Sequence, residues 1–270
     1  MSQTVMNVPC SCEKCQKTVT SMVTASAALV TEETAERYLR VNDGNQMKAA
    51  HRLTKSLVWR SQFIDDNLCD DLALARSAAV ARFCPSVLHD RQDRQGHAIK
   101  VIRLGMADPS AADLPDVFRG ESAQVAFLRH HVWLNEKATL GADQQPGNKQ
   151  RLSIIDLTNL SLRHLQRSPM RVLRAMIESD GRHYPGLLFR CYVVNAGVLL
   201  QMVWPLIKSW LDEQTLSRVR VLGSMSDPAN RAVICEDIAE ADLPPFLGPR
   251  ASAPGLNAAG RDGVLATPAP

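Results

Sequence analysis

The pattern of apolar and polar positions divides the chain into segments of different character. Between residues 31 and 83, the stretches TEETAERYLRV and QMKAAHRLTKSLVWRSQF are typical of helices, and NDGN separates them. Thr31 can cap the first helix, whose acidic first turn suits the helix dipole. In the second, apolar residues recur near every third or fourth position, which indicates one buried face: Met47, Ala50, Leu53, Leu57 and Ile64. A small all-helical N-terminal region is therefore predicted over residues 31–83.

From about His97, short apolar runs of strand length alternate with helical segments. The predicted strands are AIKVIRLG, RLSIIDLTNL, LLFRCYVVN and RVRVLG, and the helices include VFRGESAQVAFLRHHVWLNEKA, LRHLQRSPMRVLRAMIES and PANRAVICEDI. This alternation predicts an α/β domain over residues 84–248, with a mostly parallel sheet and flanking helices. Residues 1–30, rich in Ser, Thr and Ala, and residues 249–270, rich in Pro, Gly and Ala, are expected to be disordered tails.

One helix, in the stretch VVNAGVLLQMVWPLIKSWLDEQTLSR, carries almost no charge. From about Val198 to Leu211 it would span roughly 21 Å, which is too short for a bilayer core of about 30 Å. A helix on the surface of a globular domain normally turns a polar side to water. Here only Gln201, Lys208 and Ser209 are plainly polar. Either its apolar residues are ordinary core, or the helix covers something apolar that is not protein.

Composition and charge exclude several classes of protein. The chain has 45% hydrophobic and 22% charged residues, an ordinary globular composition, and a formal net charge of +3. It lacks the dense basic blocks of nucleic-acid-binding proteins, so no nucleic-acid partner is expected. Neither an apolar run of ~18 residues nor a signal peptide is present, which predicts a cytoplasmic protein.

Seven dispersed cysteines suit a reducing compartment better than a disulfide scaffold. Cys10, Cys12 and Cys15 could supply three thiolates to a metal, but structural zinc requires four ligands and no fourth lies nearby. We therefore interpret these residues as cysteines of a loose tail and expect neither a metal nor a cofactor.

The motifs of common enzyme classes are missing from the sequence. There is no G-x-S-x-G elbow, no phosphate-binding loop and no G-x-G-x-x-G after the first strand. His130 and His131 are adjacent, point to different sides of a helix and are expected at the surface. Asp156 follows a buried strand, where it could be catalytic, but a role in holding the loop LTNLS is favoured. A hydrolase would have only Asp156, Ser161 and His164 to draw on.

The order of short motifs resembles the CRAL-TRIO lipid-binding domain, the fold of the secretory phosphatidylinositol/phosphatidylcholine exchange proteins and of the retinaldehyde and α-tocopherol carriers. The resemblance covers about residues 33 to 248. Its motifs are Leu39–Arg40, Trp59–Arg60, Asp93 with Gly96 (His97 replacing the family's Arg), IIDLTNLSL, Tyr184–Pro185, Asn195–Ala196, Leu211–Asp212, Thr215 with Arg218, Leu222–Gly223 and ADLPPFLG.

This resemblance implies a lipid pocket between the sheet and the apolar helix, which would act as a gate. The pocket and gate residues are then Leu199, Leu200, Val203, Trp204 and Ile207, with Gly197 and Pro205 as hinges. The expected function is non-enzymatic: carriage of a phospholipid or another hydrophobic ligand by a monomer that visits membrane surfaces transiently. A tocopherol- or retinoid-like carrier and a lipid-sensing regulatory module are the alternatives.

The resemblance also implies where a headgroup would bind. Thr215 and Arg218 match the family's phosphate-binding Thr and Lys, and Arg keeps the charge. Ser161 matches a hydroxyl used for choline headgroups. However, Gly186 replaces the family's acidic residue after Tyr-Pro, and Asn42 and Asp43 replace an Arg-Lys pair. Thr215 could instead only cap a short helix.

Overall fold

The computed structural model describes residues 32–64, 71–140 and 150–247. Its α-helices are α1 (Glu32–Arg40), α2 (Gln46–Phe63), α3 (Asp71–Ala81), α4 (Ala123–Leu140), α5 (Arg167–His183), α6 (Val198–Lys208), α7 (Glu213–Ser217) and α8 (Pro228–Cys235). Its strands are β1 (Ser86–Gln92), β2 (Ala98–Ile102), β3 (Arg151–Asp156), β4 (Leu188–Val194) and β5 (Val219–Val221). The predicted tails, Thr31 and Cys10, Cys12 and Cys15 lie outside the described residues.

The strands form one sheet in the order β1-β2-β3-β4-β5. Strands β2 to β5 are parallel, and β1 pairs with β2 in the antiparallel sense. The predicted α/β fold with a mostly parallel sheet and flanking helices is therefore confirmed. The pattern did not reveal β1, because this strand lies at the edge of the sheet, carries a register shift and exposes its last three residues.

The two faces of the sheet are covered by different parts of the chain. On one face, alternate residues of the strands pack against α8 and the segments that follow it, giving the largest hydrophobic core: Ile99, Val101, Leu152, Ile154, Tyr192, Val194, Ile234, Ile238 and Leu247. The other face carries the alternating set, including Ile155, Cys191 and Val193. Because successive side chains of a strand point to opposite faces, these two sets cannot mix.

The carboxyl ends of β3 and β4 are tied together by polar side chains. Asp156 Oδ1 accepts hydrogen bonds from the backbone N–H and the hydroxyl of Thr158, at 3.0 and 2.6 Å. Asn195, directly after β4, donates to the same oxygen over 2.8 Å and accepts from the backbone N–H of Met225. Asp156 therefore holds the loop after β3, as favoured from the sequence.

The placement of His130 and His131 contradicts the expectation that they lie at the surface. They are only 2% and 6% exposed, since α4 is covered on two sides. His130 Nε2 lies 2.9 Å from the hydroxyl of Ser86 on β1, whereas His131 points toward β2 and α5. The prediction that adjacent histidines diverge was right, but both directions lead into the protein.

Candidate binding cavity

A cavity of about 640 Å³ lies on the second face of the sheet. Its floor is formed by β2 to β5, and its walls by α4, α5, α6 and the loop around α7. Most of its surface is apolar. Representative lining side chains are Ile155, Val193, Val172, Met176, Leu200 and Trp204. Its size falls in the range of small-molecule and cofactor sites.

Helix α6 forms one wall of this cavity and is apolar on two sides. Its inner side chains line the cavity: Leu200, Val203, Trp204 and Ile207. On its outer side, Val198, Met202 and Leu206 are 72%, 67% and 50% exposed. These three recur every fourth residue and form one stripe, which we call the outer stripe. Leu199, assigned to the pocket from the sequence, is half-buried and does not belong to the cavity wall.

The two residues named as hinges lie at one end and in the interior of α6. Gly197 caps the helix in an extended conformation, with nothing within 4 Å of the position of an added Cβ. Pro205 lies inside the helix and is exposed. Proline removes one helical hydrogen bond, which weakens the helix at that point. The helix ends at Lys208, three residues before the predicted end.

Thr215 and Arg218 both line the cavity: Thr215 lies in the middle of the short helix α7, and Arg218 directly follows its last residue. Asp212 caps this helix by accepting from the backbone N–H of Thr215, and the Thr215 hydroxyl donates to the same carboxylate over 3.0 Å. The Arg218 guanidinium donates to the carbonyl of Leu188 at the start of β4. The structure thus brings the two residues to the same wall, with both side chains already engaged by the protein.

Ser161 lies outside the cavity wall, although His164 beside it is part of that wall. The Ser161 hydroxyl is 2.9 Å from His164 Nδ1, and His164 Nε2 is 3.0 Å from the carbonyl of Ala107. The same Nδ1 accepts from the backbone N–H of Ser161, so the pair caps a short 3₁₀ turn. Asp156 bonds to Thr158, Asn195 and Arg103 rather than to His164, so the three hydrolase candidates do not form a chain.

The backbone at Gly186 explains why the acidic residue expected there is missing. Gly186 has a φ of +74°, a region that favours glycine. A Cβ added there would lie 3.0 Å from Val41 Cγ1 and 3.3 Å from Arg37 Cγ. The wall at this point is built by the end of α1 and the turn after it, including Arg40 and Asp43.

The end of the cavity nearer the starts of the strands, which we call the inner end, holds a polar cluster formed by side chains from β2, β3, α4 and α5. Its members from β2, β3 and α4 are buried, whereas the Asp180 side chain from α5 is 33% exposed. Lys100 Nζ donates to Asn135 Oδ1 over 2.6 Å and lies 3.3 Å from His131 Nδ1. Asp180 Oδ1 accepts from His131 Nε2 at 2.8 Å and from Asn135 Nδ2 at 2.6 Å. Asp180 Oδ2 accepts from Arg151 Nη2 at 3.0 Å.

Burial and mutual charge set the ionisation of this cluster. Burial lowers the pKa of Lys100 to about 7, although Asp180 opposes the shift. Burial also lowers the pKa of His131, which therefore stays neutral and accepts from Lys100 through Nδ1. Burial disfavours the charged form of Asp180, but His131, Arg151 and Lys100 together hold the pKa of that carboxyl well below its usual range. Burial raises the pKa of the Cys191 thiol to about 12.

No motif of the sequence indicates this cluster. One signal for it was present: Lys100 stands inside the apolar run AIKVI, although the central strands of a parallel sheet are normally apolar on both faces. A lysine at such a position needs partners, because an unpaired buried charge is unstable. Those partners come from segments remote in sequence, at positions 131, 135, 151 and 180, and no local spacing connects them.

Among the described residues, no helix is both long and apolar enough to cross a bilayer. Within the same residues, no group of three or more His, Cys, Asp or Glu side chains is arranged to hold a metal ion.

Comparison with known proteins identifies relatives of this chain. Phosphatidylinositol/phosphatidylcholine transfer protein SFH13 of Arabidopsis thaliana is 28% identical over 222 residues, which are 78% of this chain and 33% of that protein. Phosphatidylinositol/phosphatidylcholine transfer protein SFH11 of the same plant is 25% identical over 80% of this chain and 56% of its own length. The chain thus spans about a third to somewhat over half of these relatives.

Among solved structures, the crystal structure of Sfh5 superposes with a TM-score of 0.58 and 17% identity, covering 79% of each chain. At that identity the likeness shows the fold alone. The family model described as the CRAL/TRIO domain matches residues 85–248. Because this match covers more than half of the chain, the protein belongs to the CRAL/TRIO domain family.

Proposed function

We propose that the protein carries a phospholipid between membranes, in the cavity behind α6, without changing it chemically. The observation that carries the proposal is the double character of α6: one side lines an apolar cavity, and the outer stripe is exposed. Contiguous exposed apolar patches mark sites that contact another protein, a membrane or a ligand. The inner side suits acyl chains and the outer stripe suits a bilayer.

The energetics of burial are sufficient for such a carrier. Each buried acyl CH₂ contributes about 0.8 kcal/mol, so a chain of ordinary length can be drawn from a bilayer without any catalytic group. For α6 to admit lipid it must move, and Gly197 and Pro205 are the positions at which we propose that it bends. The carrier acts as a monomer in the cytoplasm and touches membranes only while it exchanges lipid.

The names of the relatives suggest the cargo. SFH13 and SFH11 are both named phosphatidylinositol/phosphatidylcholine transfer proteins. We propose that Thr215 and Arg218 bind the lipid phosphate at the cavity wall, each contributing a charge-assisted or polar hydrogen bond. The glycine at position 186 removes one expected contact to an inositol ring, which leaves phosphatidylcholine as an equal candidate.

Mass spectrometry of lipid that copurifies with the full chain tests this function. We expect one phospholipid class, stoichiometric and intact, and no product when labelled phospholipid is incubated with the protein. If a tocopherol- or retinoid-like molecule copurifies instead, the protein is a carrier of that hydrophobic ligand and not of phospholipid. Lysolipid or free headgroup that vanishes in Ser161→Ala would show a hydrolase.

A further inference from the structure

We propose that the inner end of the cavity is an anion site, in which Lys100 and Arg151 bind a carboxylate or phosphate group of the carried lipid. This inference rests on the proposed function, because it names which end of the lipid enters first. It concerns a different place from the wall at Thr215 and Arg218, and side chains that no motif of the sequence indicated.

The first observation is a surplus of hydrogen-bond donors. Lys100 carries three N–H groups, of which two have acceptors in Asn135 and His131. Arg151 donates through Nη2 to Asp180, whereas its Nε and Nη1 are buried without an acceptor among the described residues. Both residues are 2% exposed and belong to the cavity wall. Buried donors without partners are unfavourable, so an anion that accepts from them would be stabilised.

The second observation is the local charge. The titratable groups that face Lys100 are His131 from α4, Asp180 from α5, Arg151 from β3 and Cys191 from β4. His131 and Cys191 are neutral near pH 7, and Asp180 compensates one of the two cations. When Lys100 is protonated, the site therefore carries one uncompensated positive charge in a setting of low dielectric.

The third observation is the arrangement of polar and apolar rows along the sheet. Lys100, Ser153 and Cys191 are direct neighbours in the register of β2, β3 and β4. Two residues further along each strand, Ile102, Ile155 and Val193 form the next row on the same face. The second row lies toward the strand ends, after which α6 begins. An amphiphile whose anion lies at Lys100 can thus lay its chain over the apolar row beneath α6.

A bound anion would also change the protonation of Lys100. Burial holds the pKa of Lys100 at about 7, so this lysine is largely neutral at pH 8. An adjacent anion favours the ammonium form and raises the pKa. Binding of an anionic ligand at pH 8 should therefore take up a proton, and the observed affinity should fall as the pH rises above about 7.

Three ligands with the same chain test the site on the full-length protein: dodecanoate, dodecyl phosphate and dodecanol, measured by isothermal titration calorimetry. We expect at least one anionic ligand to bind about tenfold more tightly than dodecanol. Lys100→Met should remove most of that preference and leave dodecanol binding unchanged. Lys55→Met, an exposed lysine on α2, is the matched control and should behave as the wild type.

Proton uptake on ligand binding is measured on the wild-type protein, so it tests the anion site even if Lys100→Met does not fold. Titrations at pH 8 in two buffers of different ionisation enthalpy should show uptake of up to about one proton with the anion and none with dodecanol. A preference for dodecanoate alone identifies a carboxylate, and one for dodecyl phosphate alone identifies a phosphate. Equal affinities for all three ligands, or no proton uptake, overturn the anion site. Failure of the carrier function would appear separately, as absence of copurified lipid.

Discussion

The indole ring of Trp59 lies flat on the imidazole of His183, with ring centroids 3.8 Å apart and planes inclined by 6°. Trp59 belongs to α2, and His183 is the last residue of α5. Next to this stack, Arg60 forms a bidentate ion pair with Glu136, whose carboxylate also accepts from the Tyr184 hydroxyl over 2.6 Å. The Trp-Arg and Tyr-Pro motifs thus join the N-terminal helices to a wall of the cavity.

Replacing Trp59 by alanine should therefore destabilise the fold. Replacing a fully buried Trp by Ala lowers the free energy of unfolding by about 3–5 kcal/mol. We expect about 3 kcal/mol here, because Trp59 is half-buried. Urea unfolding measures the change. Met47→Ala, on an exposed position of the same helix, is the control and should alter the free energy of unfolding by less than about 0.5 kcal/mol. Equal effects of the two substitutions would mean that the Trp59–His183 stack does not stabilise the packing of α2 against α5.

The two sides of α6 should respond differently to an introduced charge. Val203→Asp or Ile207→Asp places a carboxylate against the lipid, which costs several kcal/mol, and should reduce lipid loading at least about tenfold. Met202→Asp on the outer stripe should leave loading intact and weaken vesicle binding. Lipid content after purification and vesicle cosedimentation measure the two effects. If the inner variants merely fail to fold while Met202→Asp binds vesicles normally, α6 is static core.

The loss of the proposed phosphate contacts can be distinguished from general damage to the cavity wall. Thr215→Ala/Arg218→Ala should slow phosphatidylinositol transfer at least about tenfold, since 1.4 kcal/mol is one decade, and phosphatidylcholine transfer much less. Arg220→Ala is the matched control, because Arg220 is an exposed neighbour that bonds only to nearby backbone carbonyls in the described structure. Equal loss for both lipids would indicate a damaged cavity wall, and no loss would mean that the lipid phosphate binds elsewhere.

Acid should destabilise the protein through His130. Burial lowers the pKa of His130 to about 4, so the unfolded chain binds this proton more readily than the folded chain does. The free energy of unfolding should then fall as the pH falls from about 6.5 to about 4, by about 3 kcal/mol from this residue. His130→Asn should flatten that dependence, whereas His51→Asn, at an exposed position, should not. An unchanged slope in His130→Asn would contradict the assignment.

The parts of the structure that sequence could predict are those with a local signal. Strands β2 to β4 and helix α2 follow from periodicity, and the position of α6 follows from its missing polar face. The edge strand β1 and the burial of His130 had no such signal, because both depend on what packs against them. The cluster around Lys100 depends on contacts between residues up to 80 positions apart, Lys100 and Asp180. The Ser161 hydroxyl was expected at the cavity, but its local bond to His164 takes it into a cap.

Carriage of phospholipid by this protein is tested by the transfer of labelled phospholipid from donor to acceptor vesicles in the presence of the purified chain. We expect the wild-type protein to accelerate transfer of phosphatidylinositol or phosphatidylcholine at least about tenfold over the spontaneous rate. We also expect that Val203→Asp abolishes the acceleration although circular dichroism shows it to be folded, and that the label is recovered on intact lipid. A folded wild-type protein that accelerates transfer of neither lipid would show that the cavity does not carry phospholipid between membranes.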